Sequence, residues 1–201
     1  MKRKALKYVF SVLLSIIIIA CIVCYVYIGH KNKQNETELL GIADDIVSEK
    51  IIENGVEDNC IEEEVFSVEK ISEDKNVLGK VIIPKIKVEA PIKEGTTANV
   101  LKESVGHFSQ TNYWTGNVAL ASHNRGTYAH YFEKINQLDL NDEIIYKTKL
   151  GTRIYKVSNI KEISEEDFSV LNDTDENTIT LITCIKNKSN MRLCVKATEQ
   201  V

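Results

Sequence analysis

An uncharged run of 21 residues, Tyr8 to Ile28, limits what this chain can fold into more than any other feature. As a helix at ~1.5 Å per residue it spans roughly 31 Å, enough for the hydrocarbon core of a bilayer. Lys2, Arg3, Lys4 and Lys7 precede it, and His30, Lys31 and Lys33 follow before the chain turns acidic. The basic excess on the near side predicts a cytoplasmic tail (1–7), a transmembrane signal-anchor helix (8–28) and an extracellular remainder. A cleaved secretory signal has a shorter apolar core and small residues before the cut. Here the apolar run continues at full length. The tetrad Ile18-Ile19-Ala20-Cys21 loosely matches a lipoprotein acceptor site, but the Ile22–Val26 stretch after it is membrane material. Cys21 and Cys24 are read as apolar filler within that helix.

Residues 29–75 form a second zone. From Lys31 to Lys75, five basic residues stand against fourteen acidic ones, and Phe66 is the one aromatic residue. Glu36 to Ile52 has helical spacing with a thin apolar face, at Leu39, Ala43, Ile46, Val47 and Ile51. The runs Glu62-Glu63-Glu64 and Glu73-Asp74 are solvated charge. The zone reads as an acidic stalk, flexible or partly helical and too polar to bury a core. Cys60 has no recognisable partner in it.

Residues 76–201 have the size of a single domain, with charge close to balance. With no basic stripe and few aromatics, nucleic-acid binding is not expected. Most local patterns are strands. Leu78–Ile83 ends at Pro84, and Ile86–Ile92 contains Pro91, which favours an edge or a bend. Gly116–Ala121 is a further strand, and Glu143–Thr148 pairs with Thr152–Ile163 across Gly151. Tyr128, Tyr131, Phe132, Ile135 and Leu138 have helical spacing. Short strands with few helices predict a closed or nearly closed β-barrel of about eight strands.

The chemistry lies at strand ends. Asn177–Ile182 is rich in β-branched residues and leads through Thr183 into Cys184. Arg192 opens the strand Arg192–Ala197 eight residues later, so an antiparallel pair would set a thiol beside a guanidinium. A thiolate near positive charge is the reactive form of cysteine. His123 also follows a strand, and imidazole exchanges protons near neutral pH. Together these side chains supply a nucleophile, an acid–base group and an oxyanion donor. Arg125 competes for the arginine role. His107 and His130 read as structural and exposed, respectively. Cys194 reads as an inert strand residue or an oxidation partner for Cys184, two positions from Arg192 and on its face. Glu162, Glu165, Glu166 and Asp167 form an acidic cluster without a clear calcium-ligand pattern.

Three blocks resemble the sortase family of membrane-anchored cysteine transpeptidases. Thr180-Leu181-Ile182-Thr183-Cys184 resembles its TLxTC nucleophile block. Gly116-Asn117-Val118-Ala119-Leu120-Ala121-Ser122-His123 resembles its GNxxxxxH block. Arg192-Leu193-Cys194-Val195 resembles its arginine-led last strand. Gly95-Thr96-Thr97 and Val105-Gly106-His107-Phe108 add weaker similarity. The resemblance implies a mainly β, sortase-type barrel behind a membrane anchor, with Cys184, His123 and Arg192 catalytic. It implies cleavage of an LPXTG-like sorting signal at the Thr carbonyl and transfer, through a thioester, to an amine of a cell-wall precursor or pilin. Partners would be secreted proteins of Gram-positive bacteria bearing that signal. No cofactor is implied beyond the calcium that some sortases bind. Ser122 stands where many members have glycine, and the short loop before Arg192 is more like class D than some class A members, so the subclass stays open. The alternatives are a non-catalytic surface domain on a stalk and a hydrolytic cysteine protease. Papain-like enzymes place the cysteine before the histidine, opposite to the order here, and the caspase cysteine block is absent.

Overall fold

A computed structural model describes the backbone of residues 2–53 and 76–200, and the side chains of 13–14, 16–47 and 76–200. The charge runs at 62–64 and 73–74, and Cys60, lie outside the described residues. The chain forms two compact units, Met1–Asn35 and Glu36–Val201. Helix α1 (Lys2–Glu53) has an apolar stretch long enough to cross a membrane, and its first unit leaves Ile16–Ile19, Ile22, Val23 and Tyr25–Ile28 exposed. A side-chain surface of this kind is suited to lipid rather than water.

The second unit is a closed barrel of eight strands in the order β1-β2-β3-β4-β7-β8-β6-β5. The strands are β1 (Val77–Ile83), β2 (Val88–Glu94), β3 (Val105–His107), β4 (Asn117–Ala121), β5 (Glu143–Thr148), β6 (Gly151–Ser164), β7 (Thr178–Ile185) and β8 (Lys188–Glu199). A short helix, α2 (Ala98–Leu101), sits between β2 and β3. The expected barrel is therefore present, with few helices inside it. Alternating positions fill its interior: Val81, Ile83, Val118, Leu120, Ile144, Tyr146, Ile179, Leu181 and Val195 are all fully buried. Each such side chain contributes about 1.5–3 kcal/mol. Pro91 is tolerated in β2 because β3 joins that strand only from Ile92 onward, which leaves Pro91 with a neighbour, Lys80, on one side.

Two segments differ from the sequence reading. Residues 128–138 form turns and a single 3-10 turn at Ile135–Gln137 rather than an α-helix. Glu133, Ile135, Gln137 and Leu138 each donate to the carbonyl three residues back, and the Phe132 amide is taken by His123. Phe132, Ile135 and Leu138, three apart and all buried, fit the three-residue repeat of that conformation. Residues 36–47, expected in a tether, belong instead to the barrel's unit. Leu39, Ile42, Ala43 and Ile46 are buried in a cluster with Val77. Four apolar residues at helical spacing suffice here because the barrel supplies the opposing surface.

Candidate active site

β4 and β7 lie side by side in parallel, and β8 runs antiparallel to β7. Ile179, Leu181 and Val195 point into the core, so Cys184 and Arg192, an odd number of positions away, face outward. The register makes Cys184 and Arg192 direct cross-strand partners. Their side chains therefore share one face of the barrel wall. Cys184 is exposed and carries no disulfide.

The backbone around His123 is tied to the end of β7 on both sides. The Ser122 amide donates to the Ile182 carbonyl at 3.4 Å, and the Thr183 hydroxyl donates to the Ser122 carbonyl at 2.7 Å. The Asn124 side-chain amide donates to the Cys184 carbonyl. His123, half-buried, is thus held between two residues fastened to the cysteine's strand. The adjacent strands β4, β7 and β8 thus carry imidazole, thiol and guanidinium in that order, with His123 two residues past the end of β4.

Asn117 ties β4 to β7 at the other end of the pair, where it stands opposite Thr178. It is fully buried, accepts from Thr178 and Thr180 of β7, and donates to the Val170 and Asn172 carbonyls. The segment between β6 and β7, with its 3-10 turn Phe168–Leu171, is thereby pinned over the outer face of β4 and β7. Gly116 precedes it with φ +64°, and a Cβ there would lie 1.9 Å from the Asp173 carboxylate. That carboxylate accepts from the Asn117 amide, which with the Thr174 amide holds its pKa below the usual range.

A cleft of about 350 Å³ opens beside Cys184, bounded by Asn124, Arg125, Phe132, Glu133 and Thr183. Among the described residues, the Arg192 guanidinium does not meet the thiol. It donates to the Ser189 and Met191 carbonyls at 2.9 Å and to Glu165 at 2.6 Å.

The profile of the sortase domain matches residues 81–200. The chain belongs to the sortase family. It is 30% identical over 128 residues to sortase A of Bacillus anthracis, covering 63% of this chain and 61% of that one. Over 109 residues it is 30% identical to sortase D of Bacillus subtilis, covering 53% of each. The matched region thus spans a little over half the length of these relatives. Among solved structures, Listeria monocytogenes sortase A superposes with a TM-score of 0.57 at 27% identity, over 63% of this chain and 88% of that one. Sortase C2 of group B Streptococcus pilus island 1 superposes at 0.60 and 26% identity, over 67% and 80%.

Within this sortase domain, the remaining candidates are distributed as follows. Arg125 is exposed and lines the cleft on the thiol's side, whereas Arg192 is the residue in register with Cys184. His107 is buried, 2.9 Å from Glu94 and 3.2 Å from the Asn112 carbonyl, a structural position in β3. His130 is exposed. Cys194 is buried opposite Ile182, and burial pushes its thiol pKa up, the opposite of activation. Among the described residues no group of three or more His, Cys, Asp or Glu could hold a metal ion. Glu162 pairs with Lys188, Glu165 with Arg192, and Asp167 caps Ser169. The sequence reading did not single out Asn124, whose partner Cys184 is 60 residues away, or the pairing of Glu165 with Arg192. Neither partner is visible in any local pattern.

Proposed function

We propose that this chain is a cysteine transpeptidase that cleaves an LPXTG-like sorting signal and joins it to an amine. The observation that carries the reading is the cross-strand pairing of Cys184 with Arg192, with His123 fastened beside β7. Membership of the sortase family supports the same roles.

In this mechanism the Cys184 thiolate attacks the Thr carbonyl carbon, forming a C–S bond and placing negative charge on the carbonyl oxygen. Arg192 donates to that oxygen or to the adjoining backbone, which stabilises the transition state as the negative charge develops. Collapse of the intermediate breaks the C–N bond, and His123 gives its proton to the departing amine. The resulting thioester is attacked by an incoming amine, which loses its proton to His123. Collapse then restores the thiolate and releases the joined product. The amine belongs to a peptidoglycan precursor or a pilin.

The apolar helix 8–28 would hold the enzyme in the cell membrane, with residues 1–7 cytoplasmic and the barrel outside, where secreted substrates emerge. Product analysis tests the reaction class. Full chain in detergent micelles, given an LPXTG-type peptide and a series of amines, is expected to yield the amine-joined peptide. Cys184→Ala should yield none. Cleavage to the free acid alone, unchanged by any amine, would make the enzyme a hydrolase. No turnover of any sorting-signal peptide would favour a non-catalytic surface domain.

A further inference from the structure

We infer that Glu165 is a positioning residue for Arg192, holding its guanidinium in the orientation that the acyl-transfer step needs. This rests on the role given to Arg192 above. Arg192 is a long side chain on the outward face of β8, and such a chain loses substantial rotamer freedom when it is fixed. Three of its five N–H donors are engaged. Both donors of one terminal nitrogen go to the Ser189 and Met191 carbonyls of its own strand, and one donor of the other goes to the Glu165 carboxylate at 2.6 Å. Among the described residues the remaining two, Nε–H and the second N–H of the Glu165-bound nitrogen, stay open for a substrate oxygen.

Glu165 is the one charged group among these partners, and a charge-assisted bond to guanidinium is shorter and stronger than a neutral one. It is also the one partner outside β8. It lies just past the end of β6, and its own amide donates to the Asn190 carbonyl at 2.9 Å. That main-chain bond fixes the carboxylate's base without using the side chain. The two carbonyls belong to the arginine's own strand, whereas the carboxylate ties the guanidinium to the segment that follows β6. The Glu165 side chain is 43% exposed and that of Arg192 26%, so the pair adds little to global stability. Its consequence is geometric: the guanidinium of the residue in register with Cys184 is anchored through three donors, which fixes where the other two point.

The test is a double-mutant cycle on the full chain in detergent micelles, read at steady state with a fluorogenic LPXTG-type peptide in excess over enzyme so that kcat and KM separate. Glu165→Gln keeps the shape and removes the charge. It is expected to lower kcat about tenfold, since misplacement of a reacting group by ~1 Å can cost up to 100-fold. KM should stay within about twofold, with an unchanged Tm, because groups acting only in the transition state change kcat. In an Arg192→Lys background the same substitution should add little further loss, because the two residues act as one unit. Full or raised kcat in Glu165→Gln would overturn the inference, as would an equal loss in both backgrounds or a loss accompanied by a lowered Tm. Full activity in Arg192→Lys would instead remove the role of Arg192 itself, and the inference with it.

Discussion

The side chain of Asn117 uses all of its hydrogen-bonding capacity: two hydroxyls donate to its oxygen, and its amide donates to two carbonyls, all within 3.3 Å. It is completely removed from solvent. Asn117→Ala leaves the buried Thr180 hydroxyl without its acceptor and the Val170 and Asn172 carbonyls without their donor, while the Thr178 hydroxyl keeps that of Thr174. The substitution is expected to destabilise the barrel by ~2–4 kcal/mol, the cost of a few unmet buried polar groups. Denaturant unfolding followed by tryptophan fluorescence would measure it, and a change under ~0.5 kcal/mol would show that the network is not load-sharing in this way. The sequence displays Gly116-Asn117 and Thr178–Cys184 as separate blocks. That one is the hydrogen-bonding partner of the other appears only in the folded state, because 61 and 63 residues separate Asn117 from Thr178 and Thr180. Glu165 illustrates the same limit. It was visible as one acid in a cluster, and its bond to Arg192 depends on the adjacency of β6 and β8.

At the scale of elements, periodicity was a good guide to strands and a poor one to irregular segments. Glu143–Thr148 alternates buried and half-buried positions, as a wall with one covered face requires, whereas Thr178–Leu181 is buried on both faces; both segments are strands. The 128–138 segment has apolar residues every three or four positions, a pattern shared by α-helix and successive 3-10 turns; its contact with the His123 carbonyl decides between them. Residues 36–47 read locally as a tether because their thin apolar stripe is adequate only against a surface built from residues after 76. Lys80 in β1 is part of that junction. It is 6% exposed and pairs with Asp44 of α1 and Glu89 of β2. Burial alone would lower its pKa, but bonds to both carboxylates outweigh that and raise it above the ordinary 10.5. A raised lysine value means that the pairing stabilises fully below the unfolded value and is lost as pH rises through the folded one. Lys80→Met is therefore expected to cost about 1 kcal/mol at pH 8. The gap from the parent should close above the raised folded value, as the parent's lysine loses its proton. Thermal melts from pH 8 to 12 would show it. A gap that stayed constant or widened with pH would mean that the carboxylates do not hold this lysine.

At the scale of the whole molecule, the site arises from how the chain crosses itself. β4 and β7 are parallel neighbours although β5 and β6 lie between them in sequence, and β8 then returns alongside both β7 and β6. This places residues 123, 184 and 192 on or just past three adjacent strands, with Cys184 and Arg192 in register. Their residue types and order could be read from the sequence, and the sortase resemblance rested on them. Their convergence could not, since it depends on strand order. The helix before the barrel gives the molecule an apolar segment of membrane-spanning length, while the cleft beside Cys184 opens on the outward face of the wall. The central claim is that acyl transfer passes through a covalent bond to Cys184. Intact-mass measurement of the full chain, incubated in micelles with an LPXTG-type peptide and no amine, tests it directly. The account predicts a mass gain equal to the peptide portion up to and including Thr, mapped to Cys184, discharged by hydroxylamine and absent from Cys184→Ala. Cleaved peptide with no adduct on the protein, or an adduct that persists in Cys184→Ala, would contradict it.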